Sequence, residues 1–119
     1  MRLLIVENNL GVRRMMVTFL SRIADEIRVC EDGAEAFAAY SEGKPDWVLM
    51  DIKMDGVDGF TATRRIKADF PEAKIIIFTN YDDEELRQAA REAGACGYML
   101  KENLLDLPAL LQARVKPSI

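Results

Sequence analysis

The sequence predicts an α/β fold, a parallel sheet with helices on both faces joined by right-handed crossovers. Two observations carry this. Apolar, strand-like runs alternate with stretches of helical periodicity along all 119 residues. One run, Trp47-Val48-Leu49-Met50, is apolar without interruption and gives way to Asp51 and then to the loop Asp55-Gly56-Val57-Asp58-Gly59. A short apolar run bounded by turn residues is the pattern of a strand buried on both faces. Asp51 is therefore expected at the carboxyl end of a central strand, facing the crevice where open α/β sheets bind ligands. With no repeats, low-complexity segments or linker, residues 1–119 read as one domain.

Each element has its own signal. Arg2 to Val6 is a first strand, and Asn8 or Asn9 is placed to cap the following helix. In that helix Val12, Met16, Phe19, Leu20 and Ile23 recur at helical spacing. Glu26 to Cys30 is a weaker strand with the character of an edge. Asp32 and Glu35 have the spacing of a capping box for a helix running to about Glu42, which Gly43-Lys44-Pro45 ends. The third strand covers Asp46 to Asp51. Asp58 caps a helix that carries Phe60, Ile66 and Phe70 and is closed by Pro71. Ala73 to Phe78 is a β-branched fourth strand leading into Thr79-Asn80. Asp82-Asp83-Glu84-Glu85 loads acid onto the next helix start, as the macrodipole favours, and that helix stops at Gly94. Cys96 to Leu100 is the fifth strand, ending at Lys101. A last helix begins at Asp106-Leu107-Pro108, with Leu110, Leu111 and Val115 as its apolar side.

Composition removes several functions. The net charge is −4, and the longest basic runs are the pairs Arg13-Arg14 and Arg64-Arg65. These read as solvated helix faces, so the domain is not expected to bind nucleic acid directly. Leu3 to Val6 is too short for a signal peptide or a membrane span, and the cytoplasm is the expected location. Cys30 and Cys96 lack a metal-binding spacing and read as buried free thiols. The chain has no histidine, which excludes His-based acid–base catalysis and His metal ligation.

The residues at the ends of strands one, three, four and five are Glu7 with Asn8, Asp51, Thr79 and Lys101. Two carboxylates, an amide, a hydroxyl and an ammonium are thus expected around one crevice. Hard oxygen ligands suit Mg²⁺ or Mn²⁺, not zinc. A hydroxyl and an ammonium opposite them suit phosphoryl oxygens. Asp51 could then attack as a nucleophile and form an acyl phosphate. Any one of these residues alone is more often a cap, a turn or a surface residue; the joint pattern carries the inference.

With that pattern the chain resembles the receiver domain of two-component response regulators over essentially its whole length. The matching motifs are Leu-Ile-Val-Glu-Asn-Asn (4–9), Met-Asp-Ile-Lys-Met-Asp-Gly-Val-Asp-Gly (50–59), Phe-Thr-Asn (78–80) and Gly-Tyr-Met-Leu-Lys (97–101). The resemblance implies a doubly wound five-stranded parallel sheet of order 2-1-3-4-5, a flavodoxin-like three-layer sandwich. It makes Asp51 the phosphoacceptor, Thr79 the switch hydroxyl, Tyr98 the aromatic that changes rotamer, and Lys101 the cation that pairs with the phosphoryl oxygens. Mg²⁺ (or Mn²⁺) would be held by Glu7, Asn8, Asp51 and the backbone carbonyl of Lys53. The implied donor is a sensor histidine kinase or a phosphotransfer protein. The face of helix four, strand five and helix five would change shape for a downstream protein or an effector domain, and it is a candidate dimer contact. Transfer to its own Asp51, followed by slow self-dephosphorylation, is the only chemistry expected.

Three positions depart from the family pattern. Asn8 replaces one member of its usual acidic pair, Asp55 stands where Pro is frequent, and Glu102 follows Lys101 where many members have a cis-Pro. A cis bond without proline costs about 3 kcal/mol, so the family's cis bond is not carried over to Lys101-Glu102, and the sequence leaves cis and trans open. Asn8 motivates an alternative, a degenerate receiver that works as a protein-interaction module without phosphorylation. An aspartyl-phosphate phosphatase of the haloacid-dehalogenase type would want a second Asp where Lys53 stands. A flavin or dinucleotide binder would want a Gly-rich cradle, which Glu7-Asn8-Asn9-Leu10-Gly11 is not. The last predicted helix runs nearly to Ile119, so this reads as a single-domain regulator or as the receiver part of a longer one.

Overall fold

A computed structural model describes residues 1–54 and 56–112; Asp55 of the loop after the third strand, and Val115 on the apolar side of the last predicted helix, lie outside them. The order is β1 (Arg2–Val6), α1 (Leu10–Leu20), β2 (Glu26–Cys30), α2 (Gly33–Gly43), β3 (Trp47–Met50), α3 (Gly59–Asp69), β4 (Ile75–Thr79), α4 (Glu84–Ala93), β5 (Gly97–Leu100) and α5 (Leu107–Gln112). All four strand pairings are parallel, in the order β2-β1-β3-β4-β5. β2 is an edge, as its composition suggested; so is β5.

Side chains alternate along a strand, so each of the three inner strands feeds both faces of the sheet. Leu4, Val6, Val48, Met50, Ile75 and Ile77 pack with Ala36, Tyr40, Ala62 and Ile66 of α2 and α3. Leu3, Ile5, Leu49, Ile76 and Phe78 pack with Met16 and Leu20 of α1 and with Leu107 and Leu111 of α5. All these residues are buried. This is why the strands read as continuous apolar runs: neither face meets water.

The caps refine the expectations. Asn9, not Asn8, caps α1, its side chain accepting from the Val12 N–H at 2.9 Å. Only half of the predicted capping box forms. Asp32 accepts from the Ala34 and Glu35 N–H groups, while Glu35 is exposed and makes no return bond among the described residues. The αL residue closing α2 is Lys44, with φ 41°. Lys101–Asp106 forms a 3-10 segment with a kink at Asn103, which no periodicity in the sequence announces. All described peptide bonds are trans, including the one after Lys101. Cys30 is buried but Cys96 only half so; both are free thiols, and burial pushes the Cys30 thiol up to about 11.

Candidate functional site

The chain doubles back after β2, so β1 and β3 lie side by side while the connections leave in opposite directions, opening a crevice at their carboxyl ends. The backbone ladder fixes what stands there. The Asp51 N–H donates to the Val6 carbonyl and the Glu7 N–H to the Cys30 carbonyl, both at 3.0 Å. Glu7 and Asp51 are only 2% and 8% exposed.

Lys101, the residue after β5, reaches across to both. Its ammonium lies 3.0 and 3.1 Å from the two Glu7 carboxylate oxygens and 3.5 Å from Asp51 Oδ1. Asp51 Oδ1 also accepts the Ile52 N–H at 2.9 Å. Burial pushes the Glu7 carboxyl up to about 7; the neighbouring Asp51 adds to the rise and Lys101 opposes it. With Glu7 ionised, two buried carboxylates against one ammonium give the crevice a formal charge of −1.

Thr79, 1% exposed, ends β4 beside Leu100. Its Oγ1 accepts the Tyr81 N–H at 3.3 Å, and the Tyr81 carbonyl accepts the Tyr98 hydroxyl at 2.5 Å. One exposed loop residue thus touches both predicted switch side chains. Lys53 turns to the same residue, its ammonium 3.4 Å from the Tyr81 hydroxyl and 4.6 Å from the ring centroid.

The structure therefore joins Glu7, Asp51 and Lys101 in direct contact and links Thr79 with Tyr98 through Tyr81. Asn8 is exposed and stands outside these contacts. Among the described residues, no group of three or more His, Cys, Asp or Glu side chains is placed to hold a metal ion. Cavities of about 310 and 290 Å³ are lined by Arg13, Arg14 and Val29 and by Trp47, Lys74 and Cys96. Neither touches Asp51.

The response regulator receiver domain family matches residues 3–113. The chain belongs to this family. This receiver domain is 38% identical over 117 residues to the oxygen regulatory protein NreC of Staphylococcus haemolyticus, covering 96% of the chain and 54% of that relative. It thus spans about half the length of the curated relatives it matches. Among solved structures, it resembles a LuxR-family two-component response regulator from Aurantimonas sp. SI85-9A1 at 32% identity and TM-score 0.82, over 92% of this chain and 84% of that one. The BeF3-activated N-terminal receiver domain of Klebsiella pneumoniae RstA is 27% identical with TM-score 0.82, over 95% and 100% of the two chains. The five-stranded order and the family are those the motifs implied.

One further sequence reading needs correction, and one residue had no signal. Arg13 is not a solvated partner of Arg14. Its side chain is 13% exposed, donates to the Glu7 carbonyl at 2.9 Å and faces Glu31 at 3.6 Å, pinning the loop after β1. Its position four residues after the Asn9 cap, which turns it back over that loop, was the available clue. Arg87 lays its guanidinium 4.5 Å from the Tyr98 ring centroid while pairing with Asp82 at 3.1 Å. Only the packing of α4 on β5 shows this.

Proposed function

We propose that this receiver domain is a phosphoacceptor switch of a two-component phosphorelay, taking a phosphoryl group from a sensor histidine kinase or a phosphotransfer protein onto Asp51. The observation that carries the reading is the buried trio Glu7, Asp51 and Lys101. Asp51 Oδ1 is held by the Ile52 N–H and faces Lys101, so the Asp51 carboxylate is the attacking group. The new P–O bond forms as the donor's P–N bond breaks, and the electron pair leaves on the donor's imidazole. Lys101 then pairs with the phosphoryl oxygens, which asks it to give up part of its hold on Glu7.

The donor set fits a small hard cation, with Glu7 and Asp51 as carboxylates, the Lys53 carbonyl and the Asn8 amide as neutral oxygens. Mg²⁺ or Mn²⁺, when bound, supplies positive charge against the phosphoryl oxygens. With only one net negative charge offered, that cation binds more weakly than at a site with a third carboxylate.

The output runs through Thr79 and Tyr98. Drawing the Thr79 hydroxyl toward the phosphoryl group releases the Tyr81 N–H, and Tyr81 also anchors the Tyr98 hydroxyl. A change at Asp51 thereby biases a two-state packing of α4 against β5. The face of α4, β5 and α5, with Leu105 78% exposed beside it, is the surface offered to a downstream protein, an effector domain or a second copy. No described helix is long and apolar enough to cross a membrane; the cytoplasm is the proposed location.

The deciding experiment is mass spectrometry after treatment with a small-molecule phosphodonor and Mg²⁺. Wild type should gain one phosphoryl group and Asp51→Asn none. An undiminished adduct on the mutant would sink the assignment. A second reading, an interaction module independent of phosphorylation, is favoured by the exposed Asn8. It gains if wild type takes up nothing at saturating Mg²⁺.

A further inference from the structure

We propose that Gly33, at the start of α2, is a positioning residue for the phosphorylation site: it fixes the loop between β3 and α3 from below. This rests on the reading of Asp51 as phosphoacceptor and of the Lys53 carbonyl as a cation ligand. Two backbone hydrogen bonds clamp that loop. The Gly59 N–H donates to the Ile52 carbonyl at 2.9 Å, and the Gly33 N–H donates to the Val57 carbonyl at 3.2 Å. Lys53 lies between the two anchors, one residue from the first.

The clamp at Gly33 tolerates no side chain. A Cβ there would stand 2.4 Å from the Val57 carbonyl oxygen and 3.0 Å from the Ala62 Cβ. The first neighbour is backbone and cannot rotate away. Conformation is not what demands glycine, because only Gly56 and Gly94 among the described glycines have positive φ. Alanine suits the first turn of a helix, and the Asp32 cap stays in place. Gly33→Ala therefore isolates the contact: α2 is kept and the loop is pushed.

A displaced loop moves the Lys53 carbonyl while Glu7, Asp51 and Lys101 stay on their strand ends. Cation affinity should then fall more than the capacity to be phosphorylated. Gly43 provides the control in the same helix, since a Cβ there meets nothing within 4 Å.

The test titrates Mg²⁺ into the whole chain, following backbone amide shifts and, separately, the rate of Asp51 loading from a small phosphodonor. Gly33→Ala is expected to raise the half-saturating Mg²⁺ concentration about fivefold or more in both readouts, with loading largely restored at saturation. Gly43→Ala should match wild type. A merely structural role would lower the melting temperature and leave the Mg²⁺ midpoint unmoved, and that result overturns the proposal. Wild type gives an arm that needs no variant: Mg²⁺ should slow hydrogen exchange at the Gly33 amide several-fold, and unchanged exchange overturns it too. If wild type itself never loads at Asp51, the reading of the site fails instead.

Discussion

The Lys101 ammonium sits closer to Glu7, 94 residues away in sequence, than to Asp51: 3.0 and 3.1 Å to the two Glu7 oxygens against 3.5 Å to Asp51 Oδ1. Lysine here first neutralises the acid of β1, and its side chain is only 12% exposed. Removing one member of such a pair strands the other charge in a poorly hydrated place. Lys101→Met should destabilise the metal-free domain by about 3 kcal/mol at pH 8, read by urea denaturation. The double variant with Glu7→Gln should recover much of the loss. A single-variant loss well under 1 kcal/mol would mean that water already screens Glu7.

Stability should depend on pH through the same carboxyl. Burial first, then Asp51, raises Glu7 from 4.5 to about 7 against the pull of Lys101. Between those values the folded chain keeps a proton that the unfolded chain has released. Its contribution is therefore full below about pH 4.5 and is lost as pH rises through about 7. Without divalent cations, unfolding free energy should fall across that window by at most about 1.4 kcal/mol per pH unit. Glu7→Gln should flatten the profile. A slope that the variant leaves unchanged would assign it to other groups.

Asn8 should limit cation affinity. An amide oxygen offers a dipole where a carboxylate offers a charge, and divalent binding follows ligand charge closely. Asn8→Asp is expected to tighten Mg²⁺ about tenfold, roughly 1.4 kcal/mol, and to speed loading of Asp51. Without metal it should lower stability, because a third carboxylate is added beside two. Isothermal titration and melting curves read both effects. If affinity and rate stay the same, the cation is not held at this position.

The acyl phosphate should last hours, not seconds. Hydrolysis needs a water held in line with phosphorus. Lys53 and Tyr81 close on each other, with 3.4 Å between ammonium and hydroxyl, and neither brings a carboxylate or amide to orient that water. Tyr81→Ala should shorten the half-life several-fold in a phosphate-release assay. An equal half-life would show that the Tyr81 ring does not cover the path.

Much of this receiver domain is local in origin and so was legible in the chain. Strands buried on both faces need continuous apolar runs, and α1 to α4 each start at an Asn or Asp whose side chain caps the first turn. Those two signals place Glu7, Asp51, Thr79 and Lys101 at strand ends before any coordinate is known. What tertiary structure alone decided are the relations between distant segments. The choice of Glu7 over Asp51 by Lys101, the meeting of Thr79 and Tyr98 at Tyr81, and the fit of Gly33 under Val57 all belong here. Each depends on contacts of about 2.4 to 3.5 Å whose partners only the packed chain brings together. Hydrophobic periodicity says which face of an element is buried, but it carries no information about which polar atom will stand within 3 Å of another.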